Sequence, residues 1–400
     1  MRFDIIVIGA GPSGSTLSRI LAEAGIKVLL LEKKELPYTE KNEKVCAGVL
    51  NPSGIEALGG IPSEIIERQI KMAEWISKSG YRGNFPFKNK RNINAVTVNR
   101  RDLDNWLVEL SQNSGVTLIS NLKVKNIEFM NGQIKVLTQK GDYIAPFIVG
   151  CGGFTCPVAK KIAKIRNIRF RRRDNSVITC QNIIKVPKNV IEEFFNEKIR
   201  VFLDYSLAPF GYFYLIPHTD SLYVGMGYLL KNQPKNKKIT DFLENGLKDP
   251  RISSLLGGDY QILQRRIWFV VYQKNFPKFN EIIGPNWALT GESANLVTPF
   301  VGSGITPGII SSKILGKFLI PYFETENQDV LKFYYDELSI TLKNRFSSEN
   351  ALSRLLTSNR RMDNFVKFIS NHPEYLEKAI VEQKKLNFME KLKILIHTIF

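Results

Sequence analysis

The chain is poor in cysteine and histidine, with four and three in 400 residues. Cys46, Cys151, Cys156 and Cys180 show neither zinc-ligand spacing nor a disulfide framework, which argues against a structural metal and fits a reducing cytoplasm. Cys151 and Cys156 alone are too few for an iron–sulfur centre, so no metal site is expected. Nowhere do 18 apolar residues run together, and no transmembrane helix is expected. The N-terminus lacks a basic stretch and a small-residue cleavage site, so no signal peptide is expected either. Internal repeats and low-complexity segments are absent. Acid is scarce against base: 38 Asp and Glu face 56 Lys and Arg, a formal charge of +18.

That surplus suggests a polyanionic partner. No nucleic-acid motif accompanies it, which leaves an anionic membrane surface or a phosphorylated substrate. The densest run, Lys160–Arg173, holds eight basic residues and no acid. Its alternative reading is a solvated helix and strand edge. Apolar content of 44% is that of a globular chain, and the length suffices for two or three domains around a deep cavity.

The most informative stretch runs from Asp4 to Gly14. Ile5–Ile8 reads as a buried parallel strand, and it enters Gly9-x-Gly11-Pro12-Ser13-Gly14. An amphipathic helix follows (Leu17, Ile20, Leu21, Ala24). Gly25 stops it, and Lys27–Leu31 forms a second strand ending at Glu32. The glycines allow a tight turn, backbone approach to a pyrophosphate, and close helix–strand packing. The helix N-terminus offers free N–H groups to the phosphates, and Glu32 has the spacing of an acid on ribose hydroxyls. Dinucleotide binding is the expectation.

Further along, Asn99 should cap a helix over Leu103–Leu110. Val116–Ile119, Asn126–Phe129 and Gln133–Thr138 read as strands, with Asn131-Gly132 as a hairpin turn. Phe147–Gly150 is a short apolar strand. Tyr212–Pro217, Leu222–Tyr228 and Ile267–Tyr272 are aromatic and β-branched strands. Trp287–Gly291 is a strand into a second glycine-rich loop. Past Asn327 glycine vanishes, and the tail should be helical. There Phe388, Met389, Leu392, Leu395, Ile396, Ile399 and Phe400 recur at three- and four-residue steps among Lys384, Lys385, Lys391 and Lys393. Such a face lies on a membrane interface or docks as core.

Taken in order, the first motif, Lys44-Val45-Cys46-Ala47-Gly48, Arg100-Arg101-Asp102-Leu103-Asp104, Gly291-Glu292-Ser293-Ala294, and Pro299 with Gly302-x-Gly304-Ile305 resemble the para-hydroxybenzoate-hydroxylase class of FAD proteins. Within it, the Lys-x-Cys-x-Gly segment and Gly211–Pro217 resemble the geranylgeranyl reductase family. The resemblance spans about residues 1–325. It implies an α/β fold: a Rossmann-like FAD-binding domain, an inserted mainly antiparallel β-sheet substrate domain, and a helical C-terminal region. The implied division is 1–175 (with a substrate-side segment at about 46–95), 176–283, 284–326 and 327–400.

FAD contacts are then expected from Gly9, Gly11, Pro12, Ser13, Gly14, Glu32 and Lys33, from Cys46, Ala47 and Gly48, from Arg100, and from Gly291, Glu292, Gly302, Gly304 and Ile305. Glu292 stands where the family usually has Asp. Pro299–Ile305 should begin a helix facing the flavin pyrimidine carbonyl. The activity implied is reduction of isolated C=C bonds in geranylgeranyl chains carried on a diphosphate or a glycerophospholipid. Hydride comes from flavin N5, and a protein group donates the proton. Cys46 is the first candidate donor, since apolar surroundings keep a thiol protonated; the alternative is a small core residue. Tyr212 is the second. Tyr212, Tyr214 and Pro217 match a strand lining the lipid tunnel; alternation puts Tyr212, Tyr214 and Ile216 on one face, tunnel wall or core. His218 reads as a strand-end residue.

One departure concerns Gly150-Cys151-Gly152-Gly153, where hydroxylases of the class carry Asp-Gly; Gly152 replaces the Asp. No second GxGxxG is present. The electron donor is therefore left between NADPH and a ferredoxin-like protein. The competing functions are a class A flavin monooxygenase or halogenase, and a membrane-peripheral electron carrier to quinone. No Trp-x-Trp-x-Ile-Pro halogenase signature occurs. Localisation is expected to be cytoplasmic, with peripheral contact on the inner face of the cell membrane as a further expectation, and the oligomeric state is left open.

Overall fold

The computed structural model describes every residue except Met1, Arg169, Arg172, Gln383 and Phe400, and leaves out the side chain of Ile399. Two sheets organise it. The first has six strands in the order Ile283–Gly284, Trp287–Leu289, Phe147–Gly150, Ile5–Ile8, Val28–Leu31, Thr117–Ile119. Ile5–Ile8 is central, parallel to both neighbours, and buried at all four positions. Such a strand has no solvated face, which is why its sequence runs apolar without alternation. Helices Pro12–Glu23, Arg100–Asn113 and Ile305–Thr325 pack together beside it.

Local signals set several of these boundaries. Asn99 caps the Arg100–Asn113 helix by accepting from the Arg101 N–H. Asn131-Gly132 turns the Val124–Met130 and Gln133–Thr138 hairpin. The helix expected from Pro299 begins only at Ile305. Residues 299–304 form a loop instead, because the Glu349 carboxylate takes the Phe300 and Val301 N–H groups, both at 3.1 Å.

The second sheet has seven strands: Gln261–Val271, Ser176–Lys185, Ser221–Leu229, Gly211–Pro217, Lys198–Leu203, Met72–Ser77 and Arg82–Pro86. It is antiparallel except where Lys198–Leu203 meets Met72–Ser77, so residues 72–86 complete a sheet whose other strands lie far along the chain. The Ile239–Lys248 helix covers one face through Phe242 and Leu243. On the other face, Trp75, Phe85, Ile199 and Val201 share a core with Leu352, Phe365 and Ile369 of the C-terminal helices Val330–Ser353 and Asn359–Asn371. The first turns of Val330–Ser353 pack instead on the six-stranded half, through Leu331, Tyr334 and Leu338.

Among the described residues, no helix is long and apolar enough to cross a membrane. The tail helix Phe388–Ile399 has two unlike faces. Ile394 and Thr398 are buried, but Phe388 is 76% and Met389 58% exposed, and Leu395 and Ile396 are exposed too. The apolar face expected from spacing is thus mostly turned outward. Not all its lysines are free: Lys384 pairs with Glu382 at 2.9 Å and Lys391 donates to Ser347. The parts of that reading on the Ile399 side chain and Phe400 lie outside the described residues.

Candidate active site

A cavity of about 1240 Å³ runs between the two sheets. That exceeds the roughly 300–1,000 Å³ of a pocket for one small ligand, and leaves room for a cofactor and a second, elongated molecule. At one end lie Gly9, Gly11, Pro12, Ser13, Glu32 and Lys33, with Arg100, Glu292, Gly302, Gly304 and Ile305. Gly11 has an ordinary extended backbone, and a β-carbon there would meet nothing within 4 Å. It would project into open space. Gly14 differs, since a β-carbon would strike the Gly9 carbonyl oxygen, so this glycine serves packing. Gly48 and Gly291 are likewise turned from the cavity, against the Val98 carbonyl and Ser13 Oγ.

The acids at this end are tied in. Glu32 is buried and accepts from the Ala10 and Lys34 N–H groups at 2.8 and 2.9 Å. Glu292 pairs with Lys44 and accepts from the Val271 N–H at 3.2 Å. Each carboxylate keeps acceptor positions to spare, because an ionised carboxylate has about four. Arg171, inside the basic run, is not a solvated residue: it donates to the Phe154 carbonyl, the Asn295 side chain and the Glu292 carbonyl. The run's Arg169 and Arg172 lie outside the described residues. No side chain caps the Pro12–Glu23 or Ile305–Thr325 helices, which leaves their first-turn N–H groups for a ligand. An open glycine cradle, two uncapped helix starts and two buried acids suit a dinucleotide with ribose and ribityl hydroxyls, and the residues present fit FAD.

Cys46 stands where the two halves meet. It lines the cavity half-buried, and the Gly48 N–H donates to its Sγ at 3.4 Å. It packs against the apolar cluster that includes Leu50, Val96 and Val98, as the sequence suggests, but a charge also lies close by. Arg100, fully buried and bidentate to Asp104, interacts electrostatically with the Cys46 sulfur. Burial opposes the Arg100 charge, but Asp104 and then Cys46 outweigh burial and hold it.

The Cys46 loop is held by Gln181 and His218, neither of which the sequence placed at the site. Gln181 donates to the Cys46 carbonyl at 3.3 Å and accepts from Tyr214 Oη at 2.8 Å. His218 Nε2 lies 3.1 Å from the Ala47 carbonyl, and its ring stacks on Tyr223 at 3.7 Å. Burial pulls the His218 imidazole down to about 4, so it is neutral and donates. His218 is therefore a loop support rather than a plain strand end.

Strand alternation shows clearly at Gly211–Pro217. Tyr212, Tyr214 and Ile216 line the cavity, while Phe213 and Leu215 face the core beneath. Tyr212 Oη donates to the Val301 carbonyl at 2.6 Å. Burial pushes the phenols of Tyr212 and Tyr214 above the usual range. Pro217 does not line the cavity; its carbonyl accepts from Thr97 Oγ1 at 3.0 Å. Apolar residues adjoin this strand on the wall, including Trp75 stacked on Phe300 with centroids 5.1 Å apart. No group of three or more potential metal ligands occurs among the described residues.

This combination defines an FAD-dependent oxidoreductase, and residues 2–197 match the family described as FAD binding domain. The chain is similar to geranylgeranyl reductase-like flavoproteins. It is similar to a digeranylgeranylglycerophospholipid reductase of Methanococcus vannielii, 23% identical over 97% of this chain and 95% of that protein. It is also similar to a geranylgeranyl diphosphate reductase of Synechocystis, 23% identical over 80% of this chain and 76% of that one. A crystal structure described as geranylgeranyl bacteriochlorophyll reductase-like, from Thermoplasma acidophilum, has the same fold: TM-score 0.81 at 18% identity, covering all of this chain and 96% of that one.

Proposed function

We propose that this enzyme reduces isolated double bonds of geranylgeranyl chains borne on a phosphate-containing head, and that Cys46 donates the proton. The observation that carries the proposal is one continuous cavity with the dinucleotide cradle at one end, Cys46 at the junction and an apolar aromatic wall beyond. FAD bound here would, once reduced by an electron donor, supply the hydride. Gly9–Ser13, Glu32, Lys33, Arg100, Glu292 and Gly302–Ile305 hold it in this reading, with Gly14, Gly48 and Gly291 shaping their loops. Tyr212, Tyr214 and Ile216 orient the chain and exclude water. Cys46 Sγ protonates the less substituted alkene carbon. Arg100 then compensates the charge left on sulfur, a stabilisation that purely apolar surroundings would not give. His218 and Gln181 fix the loop carrying the thiol.

The test is anaerobic incubation of dithionite-reduced protein with geranylgeranyl diphosphate and with a digeranylgeranyl glycerophospholipid, read by mass spectrometry. Two added hydrogens per double bond are expected. Incorporated oxygen would mean a monooxygenase, and unchanged isoprenoid with quinone reduction an electron carrier.

We also propose that the tail helix rests on the bilayer that supplies the lipid, which makes the enzyme a peripheral protein of the cytoplasmic membrane face. Phe388, Met389, Leu395 and Ile396 form its outward apolar surface, with Lys385 and Lys393 exposed beside them. Each lysine near an anionic surface contributes about 1 kcal/mol. The protein should sediment with anionic vesicles at low salt and leave them at high salt. Deleting the tail would also remove Leu386 and Ile394 from the core, so the cleaner variant is Phe388→Ser with Met389→Ser. It should weaken sedimentation without moving the FAD spectrum; equal sedimentation would reject the tail as the contact.

A further inference from the structure

One stretch of the cavity wall, on the C-terminal helices, is basic. Arg345 and Arg361 reach it from the Val330–Ser353 and Asn359–Asn371 helices, and Arg354 from the link between them, beside Asn350, Ser353 and Thr357. Among the described residues, the carboxylates on the cavity wall are Glu32, Asp104 and Glu292, all at the cofactor end. Neither Arg354 nor Arg361 is paired with a carboxylate among the described residues; Arg361 donates one bond, to Thr357 Oγ1 at 3.0 Å. Arg345 is more telling. It is 0% exposed, and its Nε is spent on Glu349 at 2.8 Å. Its two terminal nitrogens are buried and have no partner among the described residues. Buried guanidinium nitrogens are rarely left without an acceptor, and each such case calls for a missing oxygen.

From this we infer that the basic stretch of the cavity wall, Arg345, Arg354 and Arg361 with Asn350, Ser353 and Thr357, is the seat of the substrate's phosphoryl head. The inference rests on the proposed reductase function and adds the residues that hold the head. Guanidinium forks match the oxygens of a phosphate in pairs, and the amide and hydroxyls complete a shell for an anion with several oxygens. Leu356, Ile380, Phe300 and Tyr212 line the same cavity, and Glu349, the partner of Arg345, holds the Phe300 and Val301 amides. The prenyl chain then lies along this largely apolar wall with its head on the C-terminal helices.

The test uses FAD-loaded protein, so that the cofactor's own phosphate site is filled. Inorganic pyrophosphate is titrated by calorimetry into the parent and into Arg354→Gln/Arg361→Gln, which leaves the buried Arg345–Glu349 pair intact. The double variant should bind pyrophosphate at least tenfold more weakly. Its KM for phosphorylated prenyl substrates should rise roughly ten- to a hundredfold, with a far smaller change for geranylgeraniol, which has no phosphate. A rise confined to geranylgeranyl diphosphate identifies a prenyl diphosphate as the source of the head. A rise confined to digeranylgeranylglycerophosphate in vesicles identifies a lipid headgroup. Either upholds the seat. Pyrophosphate binding that ignores the arginines, or KM values that stay equal, overturns it even if alkenes are reduced. Arginine-dependent pyrophosphate binding without alkene reduction keeps the seat and removes the reductase reading.

Discussion

Gly11→Val is expected to give a folded, colourless protein. The backbone at Gly11 is extended (φ −74°, ψ −174°) and nothing stands within 4 Å of the new β-carbon, so the apoprotein accepts valine without strain. The added atoms fill the space that a pyrophosphate needs at the start of the Pro12–Glu23 helix. Overpacking costs about 1–3 kcal/mol, which at about 1.4 kcal/mol per tenfold weakens FAD binding by roughly ten- to a hundredfold or more. Flavin absorbance after gel filtration and circular dichroism of the same sample check both halves. A yellow, folded Gly11→Val protein would remove the cradle from the FAD site. Gly14→Val is the control with the opposite cause, since its side chain strikes the Gly9 carbonyl and the fold itself suffers.

Cys46→Ala should keep its FAD and lose most alkene reduction. A positioned general acid contributes about 10²–10⁴-fold, and the fall should appear in kcat with KM little changed. The alternative donor is poorly placed: Tyr212 already gives its proton to the Val301 carbonyl at 2.6 Å. Tyr212→Phe should therefore cost less than Cys46→Ala. Undiminished turnover in Cys46→Ala would assign the thiol to packing and make Tyr212 the next donor to examine. Cys46→Ser, which keeps a proton on a poorer acid, should fall between.

What could be read from the chain beforehand was local. The Ile5–Ile8 run, the Asn99 cap, the Asn131-Gly132 turn and the alternation at Tyr212, Tyr214 and Ile216 each depend on residues a few positions apart. What escaped was decided by distant partners. Lys44 and Glu292 are 248 positions apart and Arg171 and Glu292 are 121 apart, and no local pattern joins them. Arg100 was legible as a cation near the cofactor, but not that its charge would act on a thiol otherwise packed against apolar residues. The outward turn of Phe388 and Met389 follows the same rule: spacing defines an apolar face, but the inward side was taken by Ile394 and Thr398 against the sheet core.

Glu349 has a consequence for the life of the protein. Its carboxylate holds the Phe300 and Val301 amides while its own helix is packed on both halves of the molecule. If Gly302–Ile305 hold the flavin, cofactor loading and tail docking are linked equilibria, and each favours the other by the same factor. Chains short of flavin then present a looser C-terminus, the part a protease meets first. Cofactor supply would set how long each molecule lasts as well as how fast it works, with saturation at about 100 times the dissociation constant adding about 2.7 kcal/mol of protection.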